Sequence, residues 1–168
     1  MFDELETERL KLRMWRENDL DAYADICADP AVMRYLGAGK VMTRHEAWRS
    51  MAFFIGHFHL RGYSHWAVEE KATGAMIGRI GFLNPEGWPG FEIGWTLARH
   101  AWGKGYATEG AKVALQYAFD TLDQPHVISL IHPDNTPSMK VAERIGETFE
   151  RNSRLLEWDV LVYGIHRP

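Results

Sequence analysis

"GFEIGWTLARHAWGKGYATEG", residues 90–110, passes from an alternating segment through a glycine turn into a helical pattern. Side chains alternate along extended backbone. Phe91, Ile93, Trp95 and Leu97 therefore share one face of a strand, and Glu92, Gly94 and Thr96 share the other. From about Gly105 to Thr121 the period changes, and Ala107, Ala111, Ala114, Leu115, Ala118 and Phe119 fall on one side of a helix. A strand, a glycine turn and a helix in that order make an anion site. The first N–H groups of a helix lack partners within it, and the helix dipole puts partial positive charge there. Gly103 and Gly105 remove the Cβ atoms that would hold a phosphate off the backbone, and Lys104 adds a cation.

Two common phosphate loops do not fit this turn. A P-loop needs G-x-x-x-x-G-K-[ST], but Lys104 stands between its glycines with no Ser or Thr after it. A Rossmann turn needs G-x-G-x-x-G/A, and Thr108 takes the last position. A bare G-x-G is a weak signal, and a tight turn without a ligand accounts for it as well.

Outward from the turn, "RLKLRMW" (9–15) alternates as a half-buried strand. Asn18 is placed to cap a helix carrying Leu20, Tyr23, Ala24 and Cys27, which Pro30 ends. "AVMRYLG" reads as a short helix closed by Gly37. Thr43 and Glu46 stand at capping-box spacing ahead of a helix that stops at Gly62. "YSHWAVEE" (63–70) and "AMIGRIGFLN" (75–84) form a hairpin across "KATG". "HVISLIH" (126–132) is an apolar run suited to a strand buried on both faces. "NTPSMKVAERIG" is a helix with Pro137 in its first turn and Gly146 after its last. "ETFER" and "EWDVLVYGIHR" read as two final strands. Antiparallel strands followed by a β-α-β unit predict an α/β (α+β) fold with a mixed, mostly antiparallel central sheet and helices on both faces.

The 168 residues suit one domain spanning 1–168, and 46% hydrophobic with 25% charged residues is ordinary for a globular chain. A net charge of −4 gives no general attraction to nucleic acid or anionic membrane. One cysteine, Cys27, leaves no intrachain disulfide and fits a reducing compartment. The acidic amino terminus is no signal peptide, and no apolar run reaches spanning length. These points together predict a cytoplasmic protein.

His100 to Gly105 resembles [Q/R]-x-x-G-x-[G/A], the acetyl-CoA pyrophosphate loop of the GNAT superfamily of N-acetyltransferases. His100 departs from that pattern's Gln or Arg, and Arg99 lies one residue early. "FEIGWTL" with "WGKGYATEG" resembles the ribosomal-protein N-acetyltransferase (RimJ/RimL-like) branch. So does "HPDNTPSMKVAERIG", which carries N-x-x-S-x-x-V-x-x-x-x-G. "TERLKLRMW" and "DPAVMRYLG" extend the likeness over nearly the whole chain.

The resemblance implies direct attack of an amine on acetyl-CoA as co-substrate. The acceptor it implies first is a protein or peptide N-terminal α-amine. A polyamine, amino sugar or amino acid comes second, and a non-catalytic acyl-CoA sensor is the rival class. A homodimer is compatible with the resemblance. Trp95, Thr96 and Leu97 take the pantetheine-holding strand, and a main-chain N–H near Gly94 or Trp95 takes the oxyanion. His100, Trp102, Gly103, Lys104, Gly105, Tyr106 and Ala107 take the pyrophosphate turn. Asn135 and Ser138 border the CoA arm, with Ser138 also near the sulfur. Ala142 occupies the position where many relatives carry a tyrosine that protonates the thiolate.

Glu92 is the expected proton acceptor, an acid inside an otherwise apolar strand, with a structural ion pair as the alternative. An α-amino group titrates near 7.7–8.0 and lysine near 10.4, so neutral-pH deprotonation costs about 1 kcal/mol for the first and about 4.6 for the second. His57 and His59, at i and i+2, do not share a helix face, and no metal is expected. His57, His59, His65, Trp66 and Trp88 either line an acceptor cleft or pack, and Tyr163 stands near the carboxy-terminal border of that cleft.

Overall fold

The computed structural model describes residues 3–168, so Met1 and Phe2 of the acidic amino-terminal stretch lie outside the described residues. In chain order the elements are β1 (Leu5–Glu6), β2 (Leu10–Arg13), α1 (Leu20–Ala28), α2 (Pro30–Met33), α3 (Arg44–Arg61), β3 (His65–Glu70), β4 (Ala75–Leu83) and β5 (Glu92–Leu97). There follow α4 (Tyr106–Asp120), β6 (His126–Ile131), α5 (Thr136–Ile145), β7 (Thr148–Leu155) and β8 (Trp158–His166). The strands form one sheet in the order β1-β2-β3-β4-β5-β6-β8-β7. Neighbours are antiparallel except β5 and β6, which run parallel and are joined through α4.

Each face of the sheet carries its own core. Under α4, Ala111, Ala114 and Ala118 pack on Leu10, Leu12, Ile80, Ile93 and Val127. Small residues let the helix lie close to the strands. A Cβ on Gly110 would come within 2.5 Å of the Ile80 side chain. On the other face, Tyr23 and Ile26 of α1 and Met51 and Phe54 of α3 cover Ala67 and Met76. A small cluster of Ile131, Ala142 and Tyr163 lies under α5.

Local signals explain most boundaries. Thr43 and Glu46 close a capping box on α3, and Gly62 ends it at φ 82°. Asn135 caps α5, and Gly146 ends it at φ 100°. Other boundaries differ from the sequence reading. Asn18 sits inside a 3-10 turn (Glu17–Asp19), and the first-turn carboxylate that accepts the Arg16 N–H at 2.7 Å belongs to Asp19. Pro30 starts α2 as well as following α1, because Asp29 accepts the Ala31 N–H and caps the new helix. That helix ends at Met33 and does not run on to Gly37. β1 was not expected, since two residues are too few to show alternation.

Candidate active site

The glycine turn leads into α4 as the sequence pattern requires. Gly103 and Gly105 adopt φ 72° and 80°, a left-handed conformation costly for any residue with a Cβ. α4 then starts at Tyr106 with Gly105 as its N-cap. Arg9 braces the turn from below. It donates to the Lys104 carbonyl at 2.9 Å and to Glu109, and its guanidinium lies 4.5 Å over the Tyr106 ring. The Tyr106 hydroxyl donates to Glu70 at 2.7 Å, so its side chain turns inward while its N–H stays at the helix start. Arg99 does not stand in for the loop's missing Gln or Arg, because its guanidinium pairs with Asp29 at 2.8 Å. His100 is exposed and lines a cavity of about 570 Å³ with Asp25, Asp29 and Ala98, beyond the end of β5 opposite Glu92.

Backbone direction along β5 follows from its hydrogen bonds. Ala98 N–H donates to the Ile77 carbonyl at 2.8 Å, toward β4, whereas the Phe91 carbonyl accepts from Ile128 N–H at 2.9 Å, toward β6. An antiparallel ladder alternates these directions. The main-chain groups of Gly94 and Thr96 therefore face β4, and those of Ile93, Trp95 and Leu97 face β6. Yet β5 and β6 share only the register pair Glu92↔Ile128. Past it the strands fork. The Ile93 carbonyl lies 3.0 Å from Ser129 Oγ, and the Leu97 carbonyl accepts from the Trp102 indole at 2.8 Å. The N–H and carbonyl of Trp95 and the N–H of Leu97 line the open fork. Thr96 turns its backbone away from the fork, and its buried hydroxyl has no partner among the described residues. The Trp95 indole donates to Ser138 Oγ at 3.3 Å, and Asn135 Oδ1 accepts the Ser138 N–H at 3.3 Å, which joins the strand to the start of α5.

On the opposite face of β5, a polar trench holds Glu92. Trp88, from the turn-rich loop before the strand, donates its indole N–H to Glu92 Oε2 at 2.6 Å. Burial raises the Glu92 carboxyl to about 7, against the lowering effects of Trp88, Arg79 and the Leu130 N–H. His65, Gly81 and Gly94 lie side by side on β3, β4 and β5. A Cβ on Gly94 would stand 3.3 Å from His65 Cε1 and 3.9 Å from Glu92 Oε1, so the missing side chain is what leaves a lane between imidazole and carboxylate. Arg79 Nη1 donates to His65 Nδ1 at 3.0 Å. An always-charged guanidinium makes Nδ1 an acceptor, so neutral His65 carries its proton on Nε2, on the Gly94 side. Burial, then Arg79 and His57, holds the imidazole well below its usual value and therefore neutral.

Of the other singled-out residues, His57, Trp66 and Tyr163 pack, and His59 does not. His57 is fixed by the Tyr63 carbonyl at 2.8 Å and the Asn84 N–H at 3.2 Å. His59 is exposed on α3. Trp66 lies in the core under α4, on the face away from the trench. Tyr163 is buried beside Ala142. Among the described residues, His126, Glu150 and His166 bring three ligand-type groups together at the far end of β6. His126 Nε2 already lies in a hydrogen bond with Glu150 at 2.6 Å, and the two imidazoles stack at 4.3 Å and 16°. No single ion lies in the planes of two nearly parallel stacked rings.

Arg79 and Ser129 were missed from the sequence, as was Glu147, which sits with Ser129 behind the fork. A lone arginine inside "AMIGRIGFL" was the available signal for Arg79. Ser129 stood as the one hydroxyl inside the apolar run "HVISLIH", and Glu147 at the head of "ETFER" gave no signal of burial.

Residues 9–148 match the profile described as "Acetyltransferase (GNAT) domain". YkkB of Bacillus subtilis, described as an uncharacterized protein, is 32% identical over 95% of this chain and 93% of its own length. The crystal structure of an acetyltransferase from Agrobacterium tumefaciens str. C58 superposes with a TM-score of 0.89 at 33% identity, covering 99% of this chain and 96% of that one. RimL, titled a ribosomal L7/L12 alpha-N-protein acetyltransferase in complex with coenzyme A, shares the fold with a TM-score of 0.81 at 20% identity, over 98% of each chain.

Proposed function

We propose that this chain, which belongs to the GNAT family of acetyltransferases and is an acetyl-CoA-dependent N-acetyltransferase, acetylates the α-amino group of a protein or peptide. The carrying observation is Glu92, half-buried with an indole donor and raised to about 7. A base near 7 takes the proton of an α-ammonium, near 7.7–8.0, at a cost of about 1 kcal/mol. The proton of a lysine ammonium, near 10.4, costs it about 4.6 kcal/mol. RimL, named for an α-N-protein acetyltransferase, shares this fold and supports the same choice.

Acetyl-CoA supplies the activated thioester. The free N–H groups at the start of α4 suit its pyrophosphate, with Lys104 beside them. The open groups of Trp95 and Leu97 suit the pantetheine amides, and the Trp95 N–H is the oxyanion donor, since that of Gly94 faces β4. Glu92 receives the amine proton, directly or through one water, and the Nε2–H of His65 orients that water across Gly94. Ser138 already accepts from the Trp95 indole, so its own hydroxyl proton remains for the leaving sulfur. A thiol near 8.5 also leaves as thiolate with hydrogen-bond help alone.

Thiol release from acetyl-CoA, measured across an amine panel, tests the acceptor class. The panel holds a peptide with a free N-terminus, the same peptide blocked at its N-terminus with lysine retained, spermidine, an amino sugar and free amino acids. The free N-terminal peptide is expected to give the highest kcat/KM. Faster turnover of spermidine or the amino sugar would overturn the α-amine reading. Binding without release for every amine would favour the sensor.

A further inference from the structure

The fork between β5 and β6 needs an explanation, because two parallel strands that have formed one rung gain by forming the next. That rung would give the Ile93 carbonyl an N–H from β6. The carbonyl instead lies 3.0 Å from Ser129 Oγ, and the same oxygen lies 3.1 Å from Glu147 Oε1. A serine hydroxyl has one proton to give. If it goes to Ile93, the contact with Glu147 needs a proton on the carboxyl. If it goes to Glu147, a main-chain carbonyl at the mouth of the fork loses its partner. Glu147 is 2% exposed, and its other oxygen, Oε2, is buried with no partner among the described residues. An ionised carboxylate in that position would leave a charged oxygen bare, which costs far more than a neutral one.

We propose that Glu147 is a neutral carboxylic acid that donates to Ser129 Oγ, that Ser129 donates to the Ile93 carbonyl, and that this relay holds the fork open for the acyl-CoA arm. The relay satisfies Ile93 without the β6 backbone, which leaves the next N–H, that of Trp95, unpaired and facing the fork. Glu147 acts through Ser129 and Ile93 and is a positioning residue. The proposal rests on the fork being the acyl-CoA site and is independent of which amine is the acceptor. Burial raises the Glu147 carboxyl to about 8, in the direction the relay requires. The charged groups bearing on it are Glu92 from β5 and Glu150 from β7, and both act to keep its proton on. Glu150 is itself paired with His126 and Arg151.

The test is calorimetric binding of an unreactive thioether analogue of acetyl-CoA, which needs no acceptor and carries no titrating thiol. Glu147→Leu and Ser129→Ala are expected to lower affinity about ten-fold, the cost of leaving a buried partner unpaired. Glu147→Gln, whose amide N–H replaces the carboxyl proton, is expected to restore binding to within about three-fold of wild type. Wild-type affinity is expected to fall as pH rises through about 8, and the Gln variant to lack that fall, in a Glu92→Gln background that removes the neighbouring titration. If the Leu variant fails to fold, infrared difference spectra decide. In the Glu92→Gln background, a protonated-carboxyl C=O band at neutral pH that is lost on adding Glu147→Gln supports the relay, and its absence in that background overturns it. A Leu variant that binds like wild type, or a Gln variant as weak as the Leu variant, also overturns it. Wild-type protein that does not bind the analogue would overturn the acyl-CoA site itself, a separate result.

Discussion

The turn at 102–107 presents main-chain groups in one contiguous stretch, whereas the trench at Glu92 is assembled from side chains on β3, β4, β5 and the loop before β5. The difference decides what each region depends on. The turn depends on backbone angles, and glycine is required at Gly103 and Gly105 because φ is positive there. The trench depends on burial. Glu92 rises to about 7 because neighbouring groups strip much of its hydration, and the buried His65 stays neutral for the same reason. A change in the turn should weaken binding, and a change in the trench should slow chemistry.

The sharpest way to break this division is Glu92→Gln. Removing a positioned general base costs about 100-fold or more in kcat. Steady-state kinetics should show that loss with KM for acetyl-CoA moved by less than about three-fold, since the trench lies across the strand from the turn. A large change in KM would mean that the two regions are not separate. Gly105→Ala comes next. Forcing an alanine to φ 80° costs about 1–2 kcal/mol. Calorimetry with CoA should show affinity lowered about ten-fold, while kcat at saturation changes little. Ser138→Ala should be milder, lowering kcat by about three-fold, because a thiolate leaves without full protonation. A loss as large as that of Glu92→Gln would make Ser138 the obligatory sulfur acid.

The same contrast explains what was legible in the sequence. The turn was readable because its elements adjoin in the chain: alternation through Leu97, glycines at 103 and 105, then a helical period. Glu92 stood out as an acid among apolar neighbours. His65 and Arg79 meet only because β3 and β4 pair in a register that "KATG" alone does not specify. Which β5 groups face the fork also depends on register, and so the direction of Thr96 became known only from the ladder. Asn18 does not cap α1 because a 3-10 turn (Glu17–Asp19) precedes that helix, and the Asp19 side chain at its start accepts from Arg16 rather than from the helix. Ser129 lies on β6 and Glu147 in the connection between α5 and β7, and only the fold brings the two together.

The smallest predicted effect concerns stability. Both Glu92 and Glu147 hold their protons more tightly in the folded state than at the ordinary value of 4.5. For such groups the unfolded state binds fewer protons above 4.5, so their contribution is fully present below 4.5 and is lost as pH rises through about 7 and about 8. Thermal melts should therefore show Tm falling as pH rises from about 5 to about 8, and Glu147→Gln should flatten that fall by roughly 5 °C or more. An unchanged slope would mean that Glu147 is ionised in the native protein.

The most direct test of Glu92 as the base is the ratio of wild-type to Glu92→Gln kcat, measured against pH on one free N-terminal peptide. Titration of the amine cancels in that ratio. It should rise with pH and level off with a midpoint near 7. A ratio near one at every pH, or one flat across that range, would contradict the role of Glu92 as the base.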